Sequence, residues 1–149
     1  MCGAHATVRG LLGALVARSA LDTQDLVVDM EAALEHLWRG TGRHVSRCGA
    51  VLEPYYRSME TVRRIGDLAT ELGIGDMQVV TNRIRNDEDR TVIRDYCAAH
   101  QLEVIGEVPY DPTLLDAERA AQPPIDDAPD APAIRALREL AARLTAPTA

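Results

Sequence analysis

Asp29, Asn82, Pro109 and Cys2 are the positions at which this sequence offers reactive or ligand-holding groups in a suggestive setting. Asp29 closes the apolar run Asp25-Leu26-Val27-Val28. A carboxylate at the end of a buried strand can hold a hydrated magnesium ion or orient an attacking water. It can equally cap the next helix or sit in solvent. Asn82 follows Val79-Val80-Thr81, and its amide both donates and accepts, which suits the edge of a purine base or a local turn bond. Pro109 ends an apolar strand and brings its carbonyl to the same edge; taken alone it is a strand terminator. Cys2 and His5 share one face if that segment is helical, as two soft or borderline ligands, too few for a closed zinc site. His36 reads as a helix-surface or core histidine. Arg39, Arg43, His44 and Arg47 form a local basic run that suits phosphate, an acidic partner or solvent.

These residues need elements to carry them. Val8, Leu11, Leu12, Leu15 and Val16 recur at helical spacing. Asp25–Asp29 reads as a short buried strand, and a helical stretch follows from about Ala32 to Trp38. Cys48–Leu52, Met77–Val80 and Leu102–Val108 read as three further strands. Ser58–Leu72 and Asp87–Ala99 read as the helices between them, the first stopped by Gly73. Strands alternating with such helices predict an α/β fold, a parallel sheet with helices on both faces. All strand carboxyl ends then meet on one ligand-binding edge. The segment 121–131 is Pro-rich and reads as an extended linker. A last helix over 132–144, capped by Asp130, carries Ile134, Leu137, Leu140, Ala141 and Leu144 as a docking stripe.

Composition narrows the function. The 149 residues fit a single domain. A net charge of -7 argues against nucleic acid or an anionic membrane as partner. All 16 basic residues are Arg, so this sequence holds no P-loop, Schiff-base or receiver-domain lysine. Three widely spaced cysteines disfavour a disulfide framework and make a reducing cytoplasm the expected location, with Cys48 and Cys97 as packing residues. No apolar run approaches the roughly 20 residues that span a bilayer.

Four blocks in order carry a family resemblance. "DLVVDMEAALEHLWRGT" resembles the second switch region of the deviant P-loop ATPases of the MinD/ParA class. It is most similar to the CooC-type accessory ATPases of nickel carbon monoxide dehydrogenase. "VLEPYYRSMETVRRIGDLATELGI", "VVTNRI" and "EVPYDPTLLDAE" continue the likeness, and "MCGAHATVRGLLGALV" resembles the segment after the family's Cys-x-Cys motif. The family's opening strand and lysine-bearing Gly-rich loop have no counterpart in these residues. The resemblance therefore implies the carboxyl-terminal half of such an ATPase, a partial P-loop fold beginning at the metal motif.

That resemblance implies roles. Asp29 becomes the switch aspartate near magnesium and the attacking water, and Asn82 and Pro109 flank the adenine of ATP or ADP. Ala33 lies beside the γ-phosphate where the family has Gly, which crowds the backbone there. Arg83 replaces a Lys. Cys2 is the surviving thiolate, able to take nickel or zinc only across a homodimer. The implied function is ATP-dependent nickel insertion into carbon monoxide dehydrogenase, with that enzyme, a second copy or a missing amino-terminal half as partner. Without a phosphate loop in these residues, enzymatic activity stays an open expectation. The alternative is a non-catalytic interaction or dimerisation module derived from such an ATPase. A spatial organiser would want a membrane-binding tail or a basic DNA face, and Ala141–Ala149 offers neither.

Overall fold

Hydrogen bonding between apolar strands organises the chain from Arg47 onward. The computed structural model describes residues 47–145, together with 7, 10, 11, 13–15, 17 and 27–29. The order is β1 (Arg47–Leu52), α1 (Tyr56–Glu71), β2 (Asp76–Ile84), α2 (Asp87–Ala99) and β3 (Glu103–Pro109). Then come α3 (Pro112–Arg119), the single turn α4 (Pro124–Asp127) and α5 (Pro132–Leu144). The strands form one sheet in the order β1-β2-β3, both pairs parallel. Parallel neighbours require crossover helices, and α1 and α2 supply them.

Both crossovers pack on one face. Ala50, Leu52, Val79 and Ile84 from the sheet meet Met59, Val62, Ile65, Leu68 and Ala69 of α1 and Ile93 and Cys97 of α2. Burial of these aliphatic side chains supplies the main driving force of this layer, about 1.5–3 kcal/mol for each large one. Burial also raises the thiol pKa of Cys97 and of the half-buried Cys48, as befits packing residues. Arg90 joins α2 to β3 through a two-pronged bond, Nε and Nη2 donating to the Glu107 carboxylate at 2.9 and 2.7 Å.

The opposite face belongs to α5. Gly106 stands opposite Val80, one residue out of phase with the core residue Val79. A Cβ at Gly106 would lie 3.0 Å from Cδ1 of Leu140, so the missing side chain is what lets α5 lie close. The helix end is tied down by Arg143 donating to the Ile105 carbonyl and Arg47 to the Leu144 carbonyl. Ile134 is buried while Leu137 and Leu144 stay partly exposed, so the stripe is only half docked. On β1 the same face is bare: Val51 is 62% exposed.

Several expectations are corrected. Val27, Val28 and Asp29 form no strand, and Val27 is 90% exposed. A parallel strand needs a hydrogen-bonded neighbour and cover on its faces, and no described residue provides them here. Three strands, not four, are therefore described. The helix expected over Ala32–Trp38 lies outside the described residues. Thr7, Gly10, Leu11, Gly13–Leu15 and Ala17 are helical, but Leu11 and Leu15 are exposed rather than packed. The linker is not wholly extended: Asp126 and Asp127 N–H both donate to the Pro123 carbonyl and make α4.

Asp130 does not cap α5 either. The N-cap is Ala131, which has no capping side chain. Asp111 does the work from 22 positions away, its Oδ2 accepting from the Ala133 N–H at 3.2 Å. Its Oδ1 also accepts from Thr113 N–H at 3.1 Å and Thr113 Oγ1 at 2.6 Å, capping α3. Asp111 and Thr81 are the buried polar side chains among the described residues, Asp111 at 8% exposure.

The bond from Thr113, with those from the Ala133 and Thr113 amides, lowers the Asp111 pKa against the opposing effect of burial. A carboxyl whose pKa is depressed on folding stabilises above its unfolded value, about 3.9, and that stability is lost as pH falls through the folded value. Asp111→Ala is expected to destabilise the chain by about 2 kcal/mol, one buried cap plus orphaned donors. In urea melts from pH 7 to pH 2, the wild type should lose more stability below about pH 4 than Asp111→Asn does. Equal slopes would show that the carboxylate does not hold the two helices.

A second strained point lies at the end of β2. Thr81 faces Glu107 and Ile84 faces Pro109, so β2 carries one extra residue over this stretch. Arg83 takes φ 58°, the left-handed region, within that bulge. Arg tolerates this conformation at a cost and a β-branched residue hardly at all. Arg83→Ile should be less stable than Arg83→Gly by about 2 kcal/mol, read as urea midpoints. Equal midpoints would mean that the left-handed conformation is not held in solution.

Candidate functional site

Parallel topology brings three chain turns to one edge. Glu53 follows β1, Asn82 and Arg83 sit in the bulge ending β2, and Tyr110 and Asp111 follow β3. The bulge re-aims β2 at this edge, a common device beside binding sites. Tyr110 N–H donates to the Ile84 carbonyl at 2.9 Å and carries the β2–β3 pairing one step further. Asp111 then turns the chain into α3.

Between these turns and the α3–α4 segment lies a cleft of about 730 Å³. Asn82, Arg83, Val108, Pro109 and Tyr110 form one side, and Leu114, Leu115, Gln122 and Pro123 the other. Its size and its mixture of apolar walls with a few polar groups are those of a small-molecule site. The structure thus brings Asn82 and Pro109 together, although they are 27 positions apart in the chain.

Asn82 is oriented from behind. Its Nδ2 donates to Glu53 Oε1 at 3.3 Å, and Arg83 Nε pairs with the same oxygen at 3.5 Å. Arg85 lies beyond, its Nη2 donating to the Tyr55 hydroxyl at 3.0 Å and its guanidinium 5.5 Å from the Tyr110 ring centroid. That spacing suits a cation–π contact, which steadies the aromatic wall.

The other expected site residues do not join this cluster. Asp29 is exposed, in a stretch without regular structure. Cys2 and Ala33 lie outside the described residues, as does His5. Among the described residues no group of three or more His, Cys, Asp or Glu side chains could hold a metal ion. Among the described residues, then, Asp29 has no second metal-ligating side chain beside it. No helix among the described residues is long and apolar enough to cross a membrane.

Two residues of the site escaped the sequence reading. Asp111 follows the strand terminator Pro109 and has no role of its own in that reading, although Asp before Pro at a helix start is a capping signal. Glu53 lies between the strand and Pro54, and nothing local in the sequence pairs it with Asn82.

Comparison with known proteins gives the same picture. No family model matches the chain. It is 35% identical over 124 residues to an uncharacterized ATP-binding protein of Methanocaldococcus jannaschii, covering 83% of this chain and 47% of that one. It is 33% identical over 120 residues to the carbon monoxide dehydrogenase accessory protein CooC of Rhodospirillum rubrum, covering 80% and 44%. The chain thus spans about half the length of the curated relatives it matches. Among solved structures, the MinD cell division protein of Aquifex aeolicus superposes with a TM-score of 0.61 at 23% identity, over 73% of this chain and 48% of that one. A chain of the MinC:MinD cell division protein complex of the same organism gives 0.59 at 24%, over 71% and 45%. At these identities the structural matches speak for the fold, an α/β P-loop NTPase-like sheet in partial form. The sequence matches go further: over about half of their length, the chain is related to the accessory protein CooC and to ATP-binding proteins of its kind.

Proposed function

We propose that this chain forms the base-binding side of an adenine-nucleotide site, in a protein that couples ATP to nickel insertion into carbon monoxide dehydrogenase. The observation that carries the reading is the cleft that Asn82 and Pro109 share at the carboxyl edge of the sheet. An amide at a cleft wall can meet a base edge, and the flanking Val108, Pro109 and Leu114 suit a flat apolar ring. The relationship to CooC supports an accessory role for the nucleotide in metal-centre assembly.

The remaining roles belong to the same proposal. Asp29 would be the switch aspartate, a carboxylate able to orient an attacking water, and magnesium, when bound, would neutralise phosphate charge. Ala33 lies near the γ-phosphate, and Cys2 contributes one thiolate to the nickel cargo. One thiolate holds nickel or zinc poorly, because a stable site needs about four donors. A second copy related by a twofold axis would double the ligands.

A second reading, a non-catalytic interaction module, draws on the bare Val51 face and the partly exposed Leu137 and Leu144. Nucleotide and metal binding separate the two. Phosphate affinity in P-loop proteins comes from backbone donors of a Gly-rich loop and its lysine. This sequence has no Lys.

We therefore expect adenosine and Mg-ATP to bind this chain with dissociation constants of about 1 mM, within about tenfold of each other. Asn82→Ala should weaken both, and ATP turnover should not exceed a buffer blank. Calorimetry showing micromolar Mg-ATP with no adenosine binding would overturn the base-side reading. In equilibrium dialysis, nickel should bind weakly at about one ion per two chains, should be lost in Cys2→Ser, and should weaken as pH falls because protons compete for the thiolate. Equal retention by wild type and Cys2→Ser would remove the metal role and favour the interaction module.

A further inference from the structure

We infer that Glu53 is a positioning residue that selects a 6-amino purine over a 6-oxo purine, by fixing which end of the Asn82 amide enters the cleft. The inference rests on the base-binding reading above and deepens it. Glu53 is not in the cleft wall. It stands behind Asn82, its side chain 24% exposed, and its Oε1 faces both Asn82 Nδ2 at 3.3 Å and Arg83 Nε at 3.5 Å.

The physical argument turns on what each group can do. A primary amide has two ends, one that only accepts and one that only donates, and it flips between them unless a neighbour decides. An ionised carboxylate only accepts. With Glu53 behind it, Asn82 must turn its NH₂ toward Oε1. Its Oδ1 is then left as the group for a ligand, and among the described residues no hydrogen bond is made to that oxygen. An oxygen that only accepts pairs with the amino group of an adenine edge. Against the 6-oxo group of inosine or guanine it meets a second acceptor, with no hydrogen to share.

The Arg83 contact adds to this. Arg83 is the left-handed residue of the bulge, so its pairing with Glu53 Oε1 fixes the carboxylate and the bent backbone that aims Asn82. Together these make a small preset frame, formed before any ligand enters. Discrimination by an oriented acceptor against a like group costs the wrong ligand an unpaired polar contact.

The test uses the 149-residue chain and two nucleosides, adenosine and inosine, titrated by amide-detected NMR. Wild type should prefer adenosine by about tenfold. Glu53→Gln should reduce the preference to about twofold, because its own amide offers either end to Asn82. Glu53→Asp, still acceptor-only, should restore part of the preference. The two Asn82 side-chain N–H signals, identified by their loss in Asn82→Ala, should be displaced from the positions of a free Asn amide in wild type and move back toward them in Glu53→Gln. This readout needs no ligand and reports on a folded sample directly. An unchanged preference in a folded Glu53→Gln whose Asn82 signals are also unmoved would overturn the role of Glu53 alone. Adenosine binding that survives Asn82→Ala, or no binding by wild type, would instead overturn the base-binding reading, and this inference with it.

Discussion

A single buried carboxylate holds the carboxyl half of this molecule together. Asp111 leaves β3, caps α3 through Thr113 and reaches the first turn of α5 through Ala133. Each of those helix starts presents backbone N–H groups with no partner of their own. Burying them without an acceptor would cost more than a typical hydrogen bond returns. One carboxylate satisfies both ends and so sets the angle at which the α3–α4 segment and α5 leave the sheet. Because α3 and the following turn form the far wall of the cleft, the width of that cleft depends on the same side chain.

The near wall depends on a different irregularity. A regular β2 would have sent Asn82 and Arg83 to opposite faces of the sheet, as the two-residue period requires. The extra residue between Thr81 and Ile84 breaks that alternation just where the ladder ends. Strain at Arg83 is thus offset by pairing on either side: Tyr110 with Ile84, and Glu53 with Arg83. Backbone strain held by surrounding contacts in this way belongs at sites where a side chain must be presented.

What was legible in the sequence follows the range of the signals. Strands around Ala50, Val79 and Val108 and the helix Asp87–Ala99 announced themselves through local patterning, and the structure adds the cap at Asn86, which accepts from Asp89 N–H. Gly73, at φ 75°, marked the end of α1. The chain also turns left-handed at Gln101 and Ala121, just past α2 and α3, with no glycine, so composition was silent there. Asn82 and Pro109 were legible as types at strand ends, and their meeting in one cleft followed from parallel topology. The bulge was not legible, because hydropathy does not report register. Glu53 and Asp111 act across 29 and 22 positions, and a local reading assigns such residues to the nearest turn. Val27-Val28 misled for the converse reason: an apolar segment is a strand only where a neighbour pairs with it.

The proposed reading divides a nucleotide site by what each part contributes. Phosphates are recognised by many backbone donors and fixed positive charge, which supply affinity but say little about the base. A base is recognised by few groups whose worth lies in being unable to turn. The carboxyl edge of this sheet has the second character: an amide held by a carboxylate, a proline, and an aromatic ring steadied by Arg85. Of the first, the loop lysine is absent from the sequence, and Asp29 is exposed. Selection and affinity are therefore separable along the chain. On the proposed reading, a surface of this kind discriminates between ligands while holding each weakly, and a tight, phosphate-dependent grip rests on other groups.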